Sequence, residues 1–245
     1  MFKAKVKPEV LKELVEVVSI LVDEAKFTVK KGELQIKAVD PAHVAMVELR
    51  VDKKAFEEYK ADESELGVNL LKFRDVLKLT NPGDVIAMEH NEEKNQLVLK
   101  VGNITRKMAL VDTTGLSDPK VPNLNLPVKV VIKAEELRKV IKASESVSDH
   151  IALETSPEEF KITSEGDNDS ADLVMSKHML NELDCKEGAR SLFPLDYFSN
   201  MVKAISTSET VTMLMGNDYP VKMEFSIAGG NGSSTYLLAP RIEND

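Results

Sequence analysis

The sequence has no tryptophan, one cysteine and few aromatic residues, which make up 5% of its 245 positions. Because Cys185 has no second cysteine to bond, an internal disulfide is excluded and a reducing compartment is expected. No apolar run approaches the roughly 20 residues that a membrane-spanning helix needs, and residues 1–6 lack the apolar core of a signal peptide. These absences predict a protein without membrane contact, and we expect it in the cytoplasm.

Patterns typical of metal and phosphate chemistry are also absent. The segment that begins at Asp167 resembles a calcium loop, but it has no glycine at the sixth position and has His178 at the twelfth, where a bidentate glutamate belongs. The glycines at 229, 230 and 232 are not followed by the Lys-Ser/Thr of a phosphate loop, so they predict a hairpin turn. No metal-site spacing connects the four histidines, His43, His90, His150 and His178. The sequence therefore predicts no metal site, no cofactor and no catalytic residue.

The charge of the chain gives a mixed indication about nucleic acid. Hydrophobic residues make up 42% and charged residues 30% of the sequence, which is typical of a soluble globular protein with a core. The formal net charge of −9 disfavours a nucleic-acid-binding domain that is basic throughout. Since net charge does not describe how charges are distributed, the helical faces have to be compared separately.

The sequence repeats the same plan at a spacing of about half its length. The helix that opens at Lys7 is followed by a similar one at Lys133, 126 positions later. A second match at a spacing of 125 aligns Phe73 with Phe198 and Lys78 with Lys203. This period is too long for a solenoid unit, so it predicts two similar domains in tandem. Such a quasi-symmetric chain can close into a ring.

Hydrophobic periodicity predicts an α+β fold. Each domain is expected to place two helices on one face of an antiparallel sheet. The predicted helices run from Pro8 to about Asp23 and over residues 70–79, 134–146 and 195–206. Pro119, Pro122 and Pro127 exclude regular structure between the halves. We therefore predict an N-terminal domain over 1–111, a connecting loop over 112–127 and a C-terminal domain over 128–245.

Basic residues occur on the exposed face of each predicted helix. Singly, each is typical of a solvated surface, and Glu9, Glu13 and Glu16 dilute the charge of the first helix. Together they predict a cationic surface that could face phosphates. The residues are Lys12, Arg74, Lys78, Arg138, Lys139, Lys142 and Lys203.

Two motifs carry a resemblance to a known family. Ala38-Val-Asp-Pro-Ala-His-Val-Ala-Met-Val and Leu237-Leu-Ala-Pro-Arg-Ile-Glu resemble the proliferating cell nuclear antigen family of DNA sliding clamps, in its archaeal form. The resemblance implies a DNA-clamp fold and a head-to-tail homotrimer that closes into a ring with helices lining the hole. It implies a processivity factor, not an enzyme, that encircles double-stranded DNA without sequence preference at the archaeal nucleoid. The implied partners are DNA polymerase, the clamp loader, flap endonuclease and DNA ligase.

The resemblance also assigns roles to residues of this sequence. The seven basic residues above would contact DNA. A client-peptide groove beside the connecting loop would be formed by Val39, His43, Val44, Met46, Val121, Leu126, Pro220, Tyr236, Ala239, Pro240 and Ile242. The trimer interface would pair residues 105–110 of one subunit with 171–177 of the next, through Arg106, Lys107, Met108, Leu110, Leu173 and Met175.

Two other classes of function stay open from the sequence alone. One is a structural or regulatory ring that assembles partners without encircling DNA. The other is a hydrolase whose site is too dispersed to recognise. Retention on circular DNA that is lost on linear DNA would favour the clamp, whereas turnover by the purified protein would favour the hydrolase.

Overall fold

The computed structural model describes residues 1–116 and 118–241, which form two compact units. Unit 1 comprises Met1–Val121 together with Ser226–Ser234, the tip of a C-terminal hairpin. Unit 2 comprises Pro122–Phe225 and the segment from Thr235 onward. Among these residues, no helix has the length and apolar character needed to cross a membrane.

In the described residues, the two halves of the chain follow the same order: one strand, a helix, five strands, a second helix and three strands. The elements of the first half are β1 (Phe2–Val6), α1 (Pro8–Ser19), β2 (Glu24–Val29), β3 (Glu33–Val39), β4 (Ala45–Asp52), β5 (Glu58–Ala61), β6 (Ser64–Asn69), α2 (Leu70–Leu77), β7 (Ile86–Asn91), β8 (Gln96–Val101) and β9 (Ile104–Ala109). Those of the second half are β10 (Val128–Lys133), α3 (Ala134–Ser144), β11 (His150–Thr155), β12 (Glu159–Glu165), β13 (Ser170–Ser176), β14 (Glu182–Asp184), β15 (Ala189–Pro194), α4 (Leu195–Ala204), β16 (Thr210–Met215), β17 (Val221–Ile227) and β18 (Gly232–Leu238). The internal repeat and the α+β class predicted from the sequence are confirmed.

The strand orders of the two halves also correspond strand for strand. In the first half the neighbours are β5-β1-β7-β8-β9 and β4-β3-β2-β6, and all of these pairs are antiparallel. In the second half the equivalent orders are β14-β10-β16-β17-β18 and β13-β12-β11-β15. The sequence predicted one sheet for each domain, and it missed the short edge strands β5 and β14. Each half therefore divides its strands between two sets, with the helices packed against them.

Local sequence explains where the helices begin. Pro8 occupies the first turn of α1, where its missing N–H costs no hydrogen bond. The side chain of Asn69 accepts a hydrogen bond from the Lys72 N–H at 3.0 Å and caps α2. In α3 and α4 acidic residues lie in the first turn and basic residues in the last, which complements the helix dipole. The predicted helices ran two to four residues too long, because apolar spacing continues into turns such as the one that buries Leu21.

A backbone bridge closes each unit at an equivalent point. In unit 1, Val111 pairs with Gly67 of β6, and in unit 2, Arg241 pairs with Leu192 of β15. In both cases a residue just after the last strand meets the strand that precedes the second helix. A Cβ atom at position 67 would clash with the carbonyl oxygen of Val111, so this close approach requires glycine.

The sheet edges differ in what covers them. In unit 1, the start of β18 lies along β4, where Ser234 Oγ donates to the carbonyl of Glu48 at 3.3 Å. The Asp52 N–H donates to the carbonyl of Asn231 at 2.8 Å on the same edge. By contrast, β9 and β13 have a neighbouring strand on one side only within the described chain. Their exposed side chains include Ile104 and Val174, each 50% exposed.

Candidate nucleic-acid interface

The two helices of unit 1 pack side by side and border an open depression of about 550 Å³. Its lining residues are Lys12, Val15, Glu16, Arg74, Leu77 and Lys78. Three of the seven predicted DNA-contacting cations therefore lie around one depression, together with a single carboxylate. The apolar lining comes from Val15 and Leu77, which are buried against the core.

The charged groups of this depression interact with each other and with their neighbours. Lys78 forms an ion pair with Asp75 at 2.9 Å, which lowers the pKa of that carboxyl group. The Arg74 guanidinium donates to the Ser19 hydroxyl. Partial desolvation and the charge of Glu13 raise the pKa of Glu16, and Arg74 opposes this shift.

Glu13 does not dilute the basic face of α1, so that expectation was wrong. Its side chain is only 8% exposed, and its carboxylate accepts a hydrogen bond from the Ala228 N–H at 2.8 Å. Ala228 lies at the hairpin tip within unit 1 and has a φ of 52°, in the left-handed region. Glu13 thus stabilises a strained turn, whereas Glu16, three residues later, faces the depression.

The predicted cations on the helices of unit 2 differ in their partners. Arg138 is half-buried and donates to the carbonyl of Ile205 at 2.7 Å, so part of its guanidinium caps the C-terminal end of α4. Lys139 is exposed and pairs with Glu135 at 2.9 Å and with Glu136 at 3.1 Å. Lys142 is exposed in the last turn of α3.

Lys203 of α4 is paired with a carboxylate that the sequence analysis did not single out. Its ammonium lies 2.5 Å from Glu145 Oε1, and the Ser199 hydroxyl donates to the same oxygen at 2.8 Å. These two contacts lower the pKa of Glu145. Glu145 is therefore ionised at neutral pH, and its negative charge offsets part of the positive potential around Lys203.

A separate polar cluster in unit 1 shapes the turn between β3 and β4. The buried carboxylate of Asp40 accepts hydrogen bonds from the N–H groups of Ala42 at 3.1 Å, Val44 at 2.8 Å and Ala45 at 2.7 Å. His43 has a φ of 58° at the tip of this turn, where its side chain is exposed. Asp40 thus fixes a left-handed residue that would otherwise be strained.

Comparison with known proteins decides the family. Residues 1–115 match the family described as "Proliferating cell nuclear antigen, N-terminal domain", and residues 120–241 match its C-terminal domain. The "DNA polymerase sliding clamp" of Methanocella arvoryzae is 44% identical over 246 residues, with all of both chains covered. The chain belongs to the proliferating cell nuclear antigen family of DNA sliding clamps.

Further relatives support this family membership. The "DNA polymerase sliding clamp" of Halobacterium salinarum is 39% identical over 248 residues and also covers both chains completely. A solved structure of A. fulgidus PCNA with the C-terminal region of FEN-1 bound has a TM-score of 0.93 at 35% identity over the full length of both chains. The PCNA of Thermococcus kodakaraensis has a TM-score of 0.90 at 25% identity, covering 98% of this chain and 100% of that one. Within residues 1–116 and 118–241, no group of His, Cys, Asp or Glu side chains is arranged to hold a metal ion.

The groove residues implied by the clamp family differ in exposure. In unit 1, His43 is exposed and Val39, Val44 and Val121 are half-buried; in unit 2, Leu126, Pro220, Ala239 and Pro240 are half-buried. Met46, at 7% exposure, belongs mainly to the core of unit 1. The assignment of Tyr236 to a groove wall is corrected, because its ring is fully buried and packs on Phe225 with centroids 5.3 Å apart. Ile242 lies outside the described residues.

The interface residues implied by the clamp family also divide into two groups. Arg106 and Lys107 of β9 are exposed, and Leu110 and Leu173 are half-buried. Met108 and Met175 are each only 5% exposed, and their side chains pack within their own units. These two methionines therefore have little side-chain surface to offer a neighbour, and their assignment as interface side chains is corrected.

Two polar residues of the clamp were missed by sequence reasoning. Asp40 belongs to the motif that begins at Ala38, and the sequence analysis assigned it no role of its own. An Asp followed by proline is nevertheless typical of a side chain that accepts hydrogen bonds within its own turn. Glu145 was not identified, because it follows the predicted basic stripe of α3 and pairs with a residue 58 positions away in sequence, Lys203. Such a long-range ion pair leaves no local signal.

Proposed function

We propose that this chain is a DNA polymerase processivity factor that encircles duplex DNA without sequence preference and has no catalytic activity of its own. The observation that carries the proposal is the repetition of cations on both helix pairs. Lys12 and Arg138 occupy equivalent positions of α1 and α3, and Lys78, directly after α2, corresponds to Lys203 of α4. Contacts from such side chains to phosphates carry no sequence information, which is what a sliding protein needs.

The proposed assembly is a head-to-tail homotrimer that closes into a ring. Its support comes from the repeat, since β18 is the equivalent of β9 and β4 is the equivalent of β13. In unit 1 the start of β18 lies along β4. We infer that β9 of one copy pairs in the same way with β13 of the next. This pairing would cover two strand edges that otherwise favour aggregation.

Light scattering of the purified protein should give a native mass of about three times the 27.2 kDa of the chain. Val174→Arg should shift the mass toward the monomer at micromolar concentration. It would place an additional cation on β13 opposite Arg106 and Lys107, and like charges across a strand pair are destabilising. Val174→Thr is the matched control and should keep the trimer. A monomeric mass for the unmodified protein in moderate salt would contradict the ring.

The DNA contact should be distributed and salt-dependent. Replacing Lys78 and Lys203 together by alanine should weaken duplex binding more than either change alone. Each lost phosphate contact should reduce the slope of log K against log salt by about 0.9. Fluorescence anisotropy with a labelled linear duplex between about 50 and 200 mM salt measures this slope.

The control for this experiment is Lys60→Ala, which removes an exposed cation of β5 outside the helices. It should leave the slope unchanged. An equal effect of Lys60→Ala and of the helix substitutions would contradict the assignment of the helices to DNA. Absence of binding by the unmodified protein to circular as well as linear duplex would favour the alternative of a ring that assembles partners without DNA.

We also propose that the clamp tethers replication and repair proteins through short peptides. The proposal is supported by the A. fulgidus relative, which was solved with the C-terminal region of FEN-1 bound. Flap endonuclease is therefore the first proposed partner, and DNA polymerase, the clamp loader and DNA ligase are further proposed partners, acting in the archaeal cytoplasm. Of the residues assigned to this role, the exposed or half-buried ones, such as His43, Val44, Leu126 and Pro240, have side-chain surface for a peptide to cover.

Leu126→Ala should lower the affinity of the protein for a FEN-1 C-terminal peptide, and calorimetry measures this affinity.

A further inference from the structure

Each helix pair contains carboxylates among its cations, and two of these, Glu16 and Glu145, are not at equivalent positions of the repeat. With the repeat spacing of 126 between α1 and α3, Glu16 corresponds to Lys142 and Ser19 corresponds to Glu145. The two carboxylates therefore lie about one helical turn apart in the repeat. We propose that Glu16 and Glu145 weaken the contact of the helices with DNA phosphates, so that bound duplex stays mobile. This inference rests on the proposed function.

Glu145 acts on a named cation. Its Oε1 atom lies 2.5 Å from the Lys203 ammonium and accepts a hydrogen bond from Ser199 at 2.8 Å. A phosphate that binds Lys203 must compete with this ion pair and meets the negative charge of Glu145. Lys203 therefore contributes less to phosphate binding than a free lysine at the same position.

Glu16 affects a group of cations that line one depression, whereas Glu145 pairs with a single lysine. It lines the same depression as Lys12, Arg74 and Lys78, and its carboxylate is close enough to Arg74 for the two charges to interact. An incoming phosphate is attracted by the three cations and repelled by Glu16. Glu16 thereby reduces the net attraction of this surface for phosphate.

The ion pair with Lys203 favours a charged Glu145, but the place of Glu145 in its helix does not. It is the C-cap residue of α3, where the partial negative charge of the helix end disfavours a carboxylate. Glutamine at this position keeps an oxygen that can accept from Ser199 and removes only the charge. Glu145→Gln is therefore expected to fold with unchanged thermal stability, and thermal unfolding of the full-length protein checks this.

The test measures binding of a labelled linear duplex by the full-length protein as a function of salt. Glu145→Gln should make the slope of log K against log salt steeper by about 0.9 for each freed contact. This corresponds to a dissociation constant lowered by about eightfold per contact at about 0.1 M salt. Glu16→Gln should shift both quantities in the same direction, and the double variant should exceed either single one.

The matched control is Glu93→Gln, which removes the same charge from the exposed turn between β7 and β8. It should leave the slope and the affinity unchanged. Unmodified protein that binds duplex, together with Gln variants that bind no more tightly than it does, would overturn the inference and leave the proposed function intact. Equal gains from Glu93→Gln and Glu145→Gln would also overturn it, since only net charge would then matter. Unmodified protein that binds neither linear nor circular duplex at low salt would overturn the inference and the DNA-binding function together.

Discussion

Phe73→Ala and Phe198→Ala should each lower the free energy of unfolding by about 3–5 kcal/mol, the usual cost of removing a fully buried aromatic side chain. Both rings have 0% exposure, at equivalent positions of α2 and α4. Each meets a second ring of its own unit: Phe27 at a centroid distance of 6.1 Å and Phe193 at 6.3 Å. Chemical denaturation monitored by circular dichroism measures the effect.

The control for the buried phenylalanines is Leu71→Ala, on the exposed face of α2, where the leucine is 48% exposed. It should change the free energy of unfolding by no more than about 0.5 kcal/mol. If the two units unfold in separate transitions, Phe73→Ala should move one of them and Phe198→Ala the other. A loss below about 1 kcal/mol for either phenylalanine would mean that its site collapses around the cavity, which would contradict the packing described here.

The repeat could be predicted because both halves of the sequence have apolar residues at the same periodic positions. Phe73 and Phe198 lie on the buried stripes of amphipathic helices, and helical spacing is the strongest signal that a single sequence carries. The exposed cations could be predicted for the same reason, since they occupy the opposite faces. The strands β5 and β14 could not, because a three- or four-residue edge strand shows too little alternation to differ from a loop.

The remaining differences come from contacts that are distant in sequence. Glu13 has the same local setting as Glu16, but it lies in the interior, where its carboxylate accepts a hydrogen bond from the Ala228 N–H, 215 positions later. Met108 and Met175 were assigned to an interface because their strands lie at sheet edges. Which side of such a strand faces its own core is decided by the packing of the whole unit, and both side chains are buried there.

Asp40→Ala should lower the free energy of unfolding by about 3 kcal/mol. A charged acceptor contributes about 1.5–3 kcal/mol per hydrogen bond, and this substitution removes an acceptor of three backbone N–H groups, those of Ala42, Val44 and Ala45. The estimate is nearer one strong bond than three, because part of this turn is exposed and water can replace the lost partners. Chemical denaturation measures the loss.

Asp40→Ala should also lower the affinity of the protein for client peptides. His43 keeps a φ of 58° because Asp40 holds the residues on both sides of it, and without this support the tip should relax toward a commoner conformation. Val44 would move with it, so the exposed side chain of His43 and the half-buried side chain of Val44 would leave the positions that the proposed peptide contact requires. Calorimetry with a FEN-1 C-terminal peptide should show a lower affinity, while light scattering shows an unchanged native mass.

The variant Asp40→Asn tests whether peptide binding depends on the shape of the turn or on the charge of the carboxylate. Its one remaining oxygen can still accept from Val44 and Ala45, which both bond to Oδ1, and only the bond from Ala42 to Oδ2 is lost. The loss in free energy of unfolding is therefore expected to be about half as large in Asp40→Asn as in Asp40→Ala. Asp40→Asn should also keep most of the affinity for the peptide. Peptide affinity that falls equally in both variants would mean that the carboxylate charge itself, not the shape of the turn, supports the peptide. Unchanged affinity in Asp40→Ala would place the peptide contact away from His43 and Val44.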